Sequence, residues 1–390
     1  MNKETSLGKK LYKLLTYLLV AAIASAVTYY FCLGETTGSK LIQLEKLILE
    51  CFVGDADRGA MEDAAADAMV NATGDRWSYY IPASQYEAYM EQMQNAYVGI
   101  GVTIATKAGE KGHEILQTQP TGGAHEAGIL PGDILVAVEQ KNVLEIGLDA
   151  ASELIRGEEG TQVELSVLRG EETLTFVVTR KTIQVVVAKG EMLENNIGLV
   201  TIANFDERCA DETLAAIEML VEQGAKGLIF DVRFNPGGYK KELVKVLDYL
   251  LPEGTIFHSV SYDGKESKTK SDANCLELPM AVLINADSYS AAEFFAAALE
   301  EYDWAVTVGE PTVGKGYFQS TFSLQDGSAV NLSIGKYYTP NGISLADVGG
   351  LQPNVQVKLD DEAKAKLYAG VLAPTDDPQI LAAMEALDLG

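Results

Sequence analysis

The sequence predicts a mixed α/β protein of several domains: an amino-terminal membrane helix, a small helical cap, a β domain, and an α/β core with a largely parallel sheet. Three observations carry that expectation. Leu14 to Leu33 is an uncharged, mostly apolar run of about 20 residues. Between residues 97 and 182, apolar residues alternate with polar ones and glycine turns separate the runs. From 183 to 360, short apolar strands alternate with helical stretches, the pattern of parallel strands joined by crossovers. A chain of 390 residues has room for two or three domains, and 47% hydrophobic content supports real cores.

The amino-terminal residues 1–13 carry Lys3, Lys9, Lys10 and Lys13. At 1.5 Å per residue, the run that follows reaches roughly 30 Å, the thickness of the bilayer core. Lysines before it and Glu35 after it predict a single-pass anchor in the cell membrane, with the amino terminus cytoplasmic and the rest of the chain outside. A cleaved signal peptide is the rival, since AIASA (Ala22 to Ala26) offers small residues. The run continues past that point through Tyr29, Tyr30 and Phe31, which favours an uncleaved anchor.

Residues 38–96 read as a helical region. LIQLEKLILECF (Leu41 to Phe52) has helical apolar spacing, and AMEDAAADAMVNAT (Ala60 to Thr73) is rich in alanine. In the β domain, 97–182, GTQVELSVLRG and ETLTFVVTR predict two strands around a turn at Gly170. In the core, 183–360, strand IGLVTI (Ile197 to Ile202) leads to a helix from about Asp211 to Gln223, stopped by Gly224. Strand GLIFDV (Gly227 to Val232) meets RFNPGG, and a helix from Lys240 to Leu251 ends at Pro252. A carboxyl-terminal helical segment, 361–390, closes the chain.

The net charge of −26, from 30 basic and 56 acidic side chains, excludes nucleic acid as a partner. Cys32, Cys51, Cys209 and Cys275 form neither a metal spacing nor a disulfide framework, and read as free. No metal site is predicted.

The chemistry concentrates between Asn285 and Gln319. MAVLI (Met280 to Ile284) stops at polar Asn285, and a helical pattern begins near Ser290. A second apolar run, Ala305 to Val308, is followed by a glycine-rich loop carrying Lys315. If the two strands are parallel, both residues fall on the carboxyl edge of the sheet, where open α/β folds bind ligands. A serine hydroxyl needs an adjacent base, and a lysine serves only when neutral. Gly314 and Gly316 let the Lys315 backbone approach another element. The three histidines, 113, 125 and 258, lie in no motif-like setting, which weakens a Ser-His-Asp reading. GEPTVGK also fits a phosphate-binding loop. Gly316 lacks the hydroxyl that would hold magnesium, however, and the following YFQSTFSL alternates like a strand where that motif opens a helix.

SYSAAE (Ser288 to Glu293) and VGEPTVGKGYFQ (Val308 to Gln319) closely resemble the paired elements of the carboxyl-terminal processing peptidases, or tail-specific proteases. The resemblance implies Ser290 as nucleophile, Lys315 as general base and Gln319 as the residue that orients the lysine. The chain departs at Ala292, where serine is common, and at Val313, where phenylalanine is common. DVRFNPGG resembles the family's D-L-R-x-N-P-G-G and makes Gly237 or Gly238, with the amide of Ala291, candidates for an oxyanion hole. YVGIGVTI and AGILPGDILVAV resemble a PDZ domain, with GGA (Gly122 to Ala124) where SPA is frequent. By that match Tyr97, Val98, Gly99, Ile100, Gly101 and Val102 would cradle a terminal carboxylate with backbone amides, and an exposed strand edge would add the peptide. KYYTPNGISLADVGGLQPNVQV (Lys336 to Val357) and DDPQILAAMEAL resemble the family's closing segments.

The resemblance implies a serine endopeptidase that cleaves exported or membrane proteins near their carboxyl termini, and the apolar run Leu14 to Leu33 adds the membrane anchor. A Ser-Lys dyad does the chemistry, PDZ binding gates access, no cofactor is used, and the substrates carry free carboxyl termini. A homodimer stays open. The alternative is a non-catalytic, membrane-anchored PDZ scaffold on an inactive protease fold, against which Ser290, Lys315 and Gln319 together speak.

Overall fold

The computed structural model describes residues 4–36, 40–106 and 111–387; the side chains of 4–11 and 29–36 lie outside that description. The chain divides into two compact units, 1–82 and 83–390.

The first unit holds helices α1 (Glu4–Thr36), α2 (Lys40–Cys51) and α3 (Arg58–Asn71) and strand β1 (Tyr79–Ile81). Asp57 caps α3 by accepting from the Ala60 amide at 3.2 Å, and Arg58 pairs with Glu45 of α2 at 2.7 Å. Along α1, Leu14, Leu18, Leu19 and Ile23 are each more than half exposed. Among the described residues no helix is long and apolar enough to cross a membrane. The expected span, Leu14 to Leu33, extends past residue 28 and so beyond the described side chains. The helical region expected over 38–96 is interrupted by β1, and its last part, α4 (Ala83–Met93), belongs to the second unit.

The second unit opens with the β domain. Its strands are β2 (Ala96–Gly99), β3 (Val102–Thr106), β4 (His113–Thr118), β5 (Ile134–Val138), β6 (Lys141–Asn142), β7 (Gln162–Arg169), β8 (Glu172–Thr179) and β9 (Lys181–Gln184). Helices α5 (Gly123–Ala127), α6 (Val143–Ile146) and α7 (Leu148–Ile155) fill the connections. The main sheet runs β3-β4-β5-β7-β8, so β3 is an edge, and β2 pairs separately with β9. Alternation along β7 buries Val163, Leu165 and Val167 with Ile100, Ile115 and Leu135. The β7–β8 hairpin turns at Gly170, φ 64°, as its sequence predicts.

The core is built from β10 (Ala188–Met192), β11 (Ile197–Ile202), α8 (Cys209–Glu222), β12 (Gly227–Asp231), α9 (Lys240–Leu250), β13 (Gly254–Ser261), β14 (Glu266–Ser271), β15 (Met280–Ile284), α10 (Ala291–Glu301), β16 (Ala305–Gly309), β17 (Tyr317–Ser323), β18 (Ala329–Tyr338), α11 (Leu345–Val348), β19 (Val355–Gln356), α12 (Asp361–Tyr368) and α13 (Pro378–Ala386). One sheet has the order β10-β11-β12-β15-β16-β19. From β11 to β19 its neighbours are parallel, and β10 lies antiparallel on β11. A second, antiparallel sheet joins β14, β13, β18 and β17. The core is therefore mixed, where a largely parallel sheet was expected. The physical reason is connection length. Only a few residues link β10 to β11 and β13 to β14, and a short link returns the chain antiparallel.

Period-two alternation divides the larger sheet between two cores. Val200, Ile202, Phe230, Val282 and Ile284 pack with residues of α8, α9 and α10, while Leu199, Ile229, Ala281 and Leu283 pack with Ile380 and Ala383 of α13. With both faces covered, the central strands read as unbroken apolar runs. Arg233, buried just after β12, bonds Asp231 at 2.6 Å and Asp377 at 2.8 Å, which ties α13 to the RFNPGG loop.

Candidate active site

Three loops leave the carboxyl ends of β12, β15 and β16. They carry Gly238, Ser290 and Lys315 respectively. Strands β15 and β16 are parallel, with Ile284 opposite Gly309, so serine and lysine share the edge that the sequence implies.

The loops are laced together. The Ser288 hydroxyl donates to the Val232 carbonyl at 2.7 Å, and Asn285 Oδ1 accepts from the Phe234 amide at 3.0 Å. The Tyr289 amide donates to the Asn235 carbonyl at 3.1 Å, and the Val313 amide to the Ser288 carbonyl at 3.3 Å. Ser290 itself caps α10 with φ 58° and ψ −123°, a conformation that costs a non-glycine residue on the order of 1–3 kcal/mol. Such strain persists only where the surroundings over-determine it. Gly237 approaches so closely that a Cβ there would lie 2.7 Å from Ser290 Cβ, and one on Gly314 would lie 2.7 Å from the Gly350 amide nitrogen.

Glu293 is the residue that holds serine and lysine to one another. It is fully buried. Its Oε2 accepts from the Ser290 amide at 2.9 Å and the Lys315 amide at 2.8 Å; its Oε1 accepts from the Gly314 amide at 2.6 Å and the Thr312 hydroxyl at 2.5 Å. Burial pushes its carboxyl above the ordinary range, and these four donors pull it part of the way back. The expectations from sequence assigned Glu293 no role. The signal was there: Ser290-Ala-Ala-Glu293 is the S-x-x-E capping pattern ahead of an apolar helix.

Lys315 is partly buried, with Nζ 5.7 Å from the centre of the Tyr289 ring. Gln319 lies on β17 beside a bulge, and its Nε2 donates to Ser333 Oγ at 3.0 Å and to the Tyr317 carbonyl at 3.3 Å. Of the oxyanion candidates, Gly237 is corrected: its amide already donates to Asn235 Oδ1 at 2.8 Å. Gly238 and Ala291 both border a recess beside Ser290.

The expected carboxylate cradle narrows. Tyr97, Val98 and Gly99 belong to β2 and pair with Ile183, Thr182 and Lys181. Only Ile100 and Gly101 form the turn, with Gly101 at φ 75°, and Val102 opens the edge strand β3. The turn is braced because the Ile100 carbonyl accepts from the Ala124 amide and the Gly101 carbonyl from the Gln119 amide. Among the described residues no cluster of three or more histidine, cysteine or acidic groups could hold a metal ion.

Asp206, in the loop after β11, is also buried, and its Oδ1 has no hydrogen-bond partner. Burial first, and Glu207 second, push its carboxyl up to about 7. A carboxyl raised on folding binds protons more tightly in the native state, so stability falls as pH climbs from the ordinary value near 3.8 through about 7. The slope is on the order of 1.4 kcal/mol per pH unit. Asp206→Asn is expected to melt above the parent at pH 8, with the gap closing toward pH 4. A gap independent of pH would show that Asp206 does not titrate in that window.

The fold and site define an α/β serine-type peptidase with a PDZ domain. Peptidase family S41 matches residues 196–357, and a PDZ domain matches 114–169. The Bacillus subtilis (strain 168) carboxy-terminal processing protease CtpA is 33% identical over 364 residues, covering 89% of this chain and 77% of that protein. A probable CtpA-like serine protease of Staphylococcus aureus (strain COL) is 30% identical, covering 87% and 70%. A solved Bacteroides fragilis NCTC 9343 structure assigned to the S41 proteases aligns with TM-score 0.52 at 15% identity, covering 89% of this chain and 97% of that one, which speaks to the fold alone. The chain belongs to the carboxy-terminal processing proteases of peptidase family S41.

Proposed function

We propose that this chain is a membrane-anchored endopeptidase that cleaves proteins near their carboxyl termini with a Ser290–Lys315 dyad. The observation that carries the reading is the shared oxygen of Glu293, which bonds the Ser290 and Lys315 amides at once. In the proposed reaction Ser290 Oγ attacks the scissile carbonyl carbon as its proton passes to neutral Lys315 Nζ. The amides of Gly238 and Ala291 donate to the oxyanion, where one lost donor costs about 3 kcal/mol of barrier. The leaving amine takes the proton from Lys315. Water, deprotonated by the same amine, then releases the acyl group and regenerates Ser290. Gln319 steers the lysine; with Nε2 bonded to Ser333, its carbonyl oxygen faces the task of accepting from Nζ.

Anchoring rests on the uncharged run Leu14 to Leu33, the lysines before it, and the exposure of Leu14, Leu15, Leu18 and Leu19 along α1. The span would put the catalytic unit outside the cytoplasm. Gating rests on the Ile100–Gly101 turn and the β3 edge, which suit a peptide with a free carboxylate. The test is a matched pair of peptides, free acid and amide, with one internal cleavage site. The free acid is expected to be cut several-fold faster, because binding of a carboxylate to the PDZ domain biases it toward a state open to substrate. Equal rates would rule out carboxylate sensing.

A further inference from the structure

We propose that the loop 203–208 is a pH-sensitive latch on the oxyanion hole, with the side chain of Asp206 as its trigger. The inference rests on the reading of Gly238 as an oxyanion donor. The loop makes two sets of contacts. On one side it pairs with the segment that carries Gly238: the Phe205 amide donates to the Gly237 carbonyl at 2.7 Å, and the Tyr239 amide to the Phe205 carbonyl at 2.7 Å. The approach is so close that a Cβ on Gly238 would lie 2.7 Å from the Asp206 amide nitrogen. On the other side the loop holds the chain where it enters and leaves the β domain. Asn204 and Asn95, just before β2, exchange side-chain amide bonds at 2.6 and 3.2 Å. Arg208 Nη2 donates to the Asn95 carbonyl at 3.0 Å and to the carbonyl of Val185, just after β9, at 2.6 Å.

Between these contacts sits a carboxyl that the proposed reaction does not use. Asp206 is 4% exposed, and its Oδ1 has no partner. The groups around it supply no counter-charge. Glu207 is a second acid, and Lys241 is paired with it at 3.4 Å. Arg208 spends its guanidinium on the two carbonyls and on Glu212, 3.4 Å away. The Cys209 thiol of α8 and the Tyr239 phenol ahead of α9 face Asp206, and burial keeps both protonated. Glu212 and Glu242 act on that thiol, and Tyr86 and Tyr89 of α4 on that phenol, so none of them neutralises a charge. A neutral Asp206 carboxyl is tolerated in this setting; a charged one needs water or a cation that the packed loop does not provide. Burial first, and Glu207 second, delay the loss of its proton until pH climbs through about 7. The least costly relief is local: the loop carries Asp206 into solvent, which breaks its pairing with 237–239 and its bonds to Asn95 and Val185. The Gly238 amide then loses its support. A lysine base makes activity rise with pH, and the latch makes it fall again.

The experiment uses the full chain as parent, Asp206→Asn and Asp206→Ala, with one quenched peptide. Two quantities are followed from about pH 6 to about pH 9: kcat, and the protection of the 203–208 and 237–239 amides against hydrogen exchange, corrected for the intrinsic rate. In the parent, kcat is expected to pass through a maximum and then fall about tenfold, while protection of both segments drops by a similar factor. Neither variant should show the alkaline fall, in kcat or in protection. Each comparison is a ratio between two pH values on one preparation, so an inactive fraction cancels. An alkaline fall that persists in both variants, or a parent whose kcat stays level, overturns the inference. So does a loss of protection with no loss of kcat, which would leave the loop unconnected to the oxyanion hole. A parent that cleaves nothing at any pH would sink the peptidase reading instead, and protection alone would then decide whether Asp206 opens the loop.

Discussion

Ser290→Ala, Lys315→Ala and Lys315→Arg are each expected to lose cleavage by about four to six orders of magnitude, since members of such a unit fail together. All three should keep a cooperative melting transition close to that of the parent, because Ser290 and Lys315 are only partly buried. The arginine variant is the sharp case. It keeps the positive charge and the length, yet a guanidinium does not give up its proton in a protein. If Lys315 merely stabilised negative charge, arginine would substitute for it. If Lys315 accepts the Ser290 proton, arginine is as inert as alanine. Gln319→Ala should lie between, losing about ten- to a hundredfold, since it steers the amine and transfers no proton. Turnover of a quenched peptide, measured on all four variants, separates the two roles. Appreciable activity in Lys315→Arg would remove the general-base assignment.

Much of this site could be read from the residues, because its parts are short and local. The apolar run Met280 to Ile284 stops at Asn285 and a helical stripe begins after Ser290, so the place of Ser290 at a strand-to-helix turn is written in the pattern. Lys315 between two glycines announces a close backbone approach, which Gly314 makes against Gly350. The parts that escaped are those fixed by distant chain. Tyr97 to Gly99 look like a binding loop until β9, about 80 residues later, pairs with them. The antiparallel sheet was invisible for another reason. Strand β14, ESKTKS, is wholly polar, and its identity comes from its register with β13, not from any apolar alternation.

Glu293→Gln is expected to cost about 2–5 kcal/mol of stability and at least a hundredfold in turnover. The carboxylate meets four donors and, among the described residues, no ion-pair partner. A carboxylate only accepts, so it suits four donors; an amide replaces one accepting oxygen by an NH2 group. Whichever way the amide turns, that NH2 faces two donors. If it faces the Oε2 position, the Ser290 and Lys315 amides lose their common partner; if it faces Oε1, Gly314 and Thr312 lose theirs. Each buried donor left unmade costs about 1–3 kcal/mol, which sets the stability figure. The turnover figure follows from geometry. Ser290 holds a strained φ of 58°, and an Å of drift at a reacting pair costs about a hundredfold. The effect belongs to kcat, since Glu293 is buried away from substrate. Glu293→Ala removes all four acceptances and should melt lower still. The check is a melting curve beside kcat and KM for both variants. A Glu293→Gln enzyme that melts and turns over like the parent would show that serine and lysine find each other without the clamp.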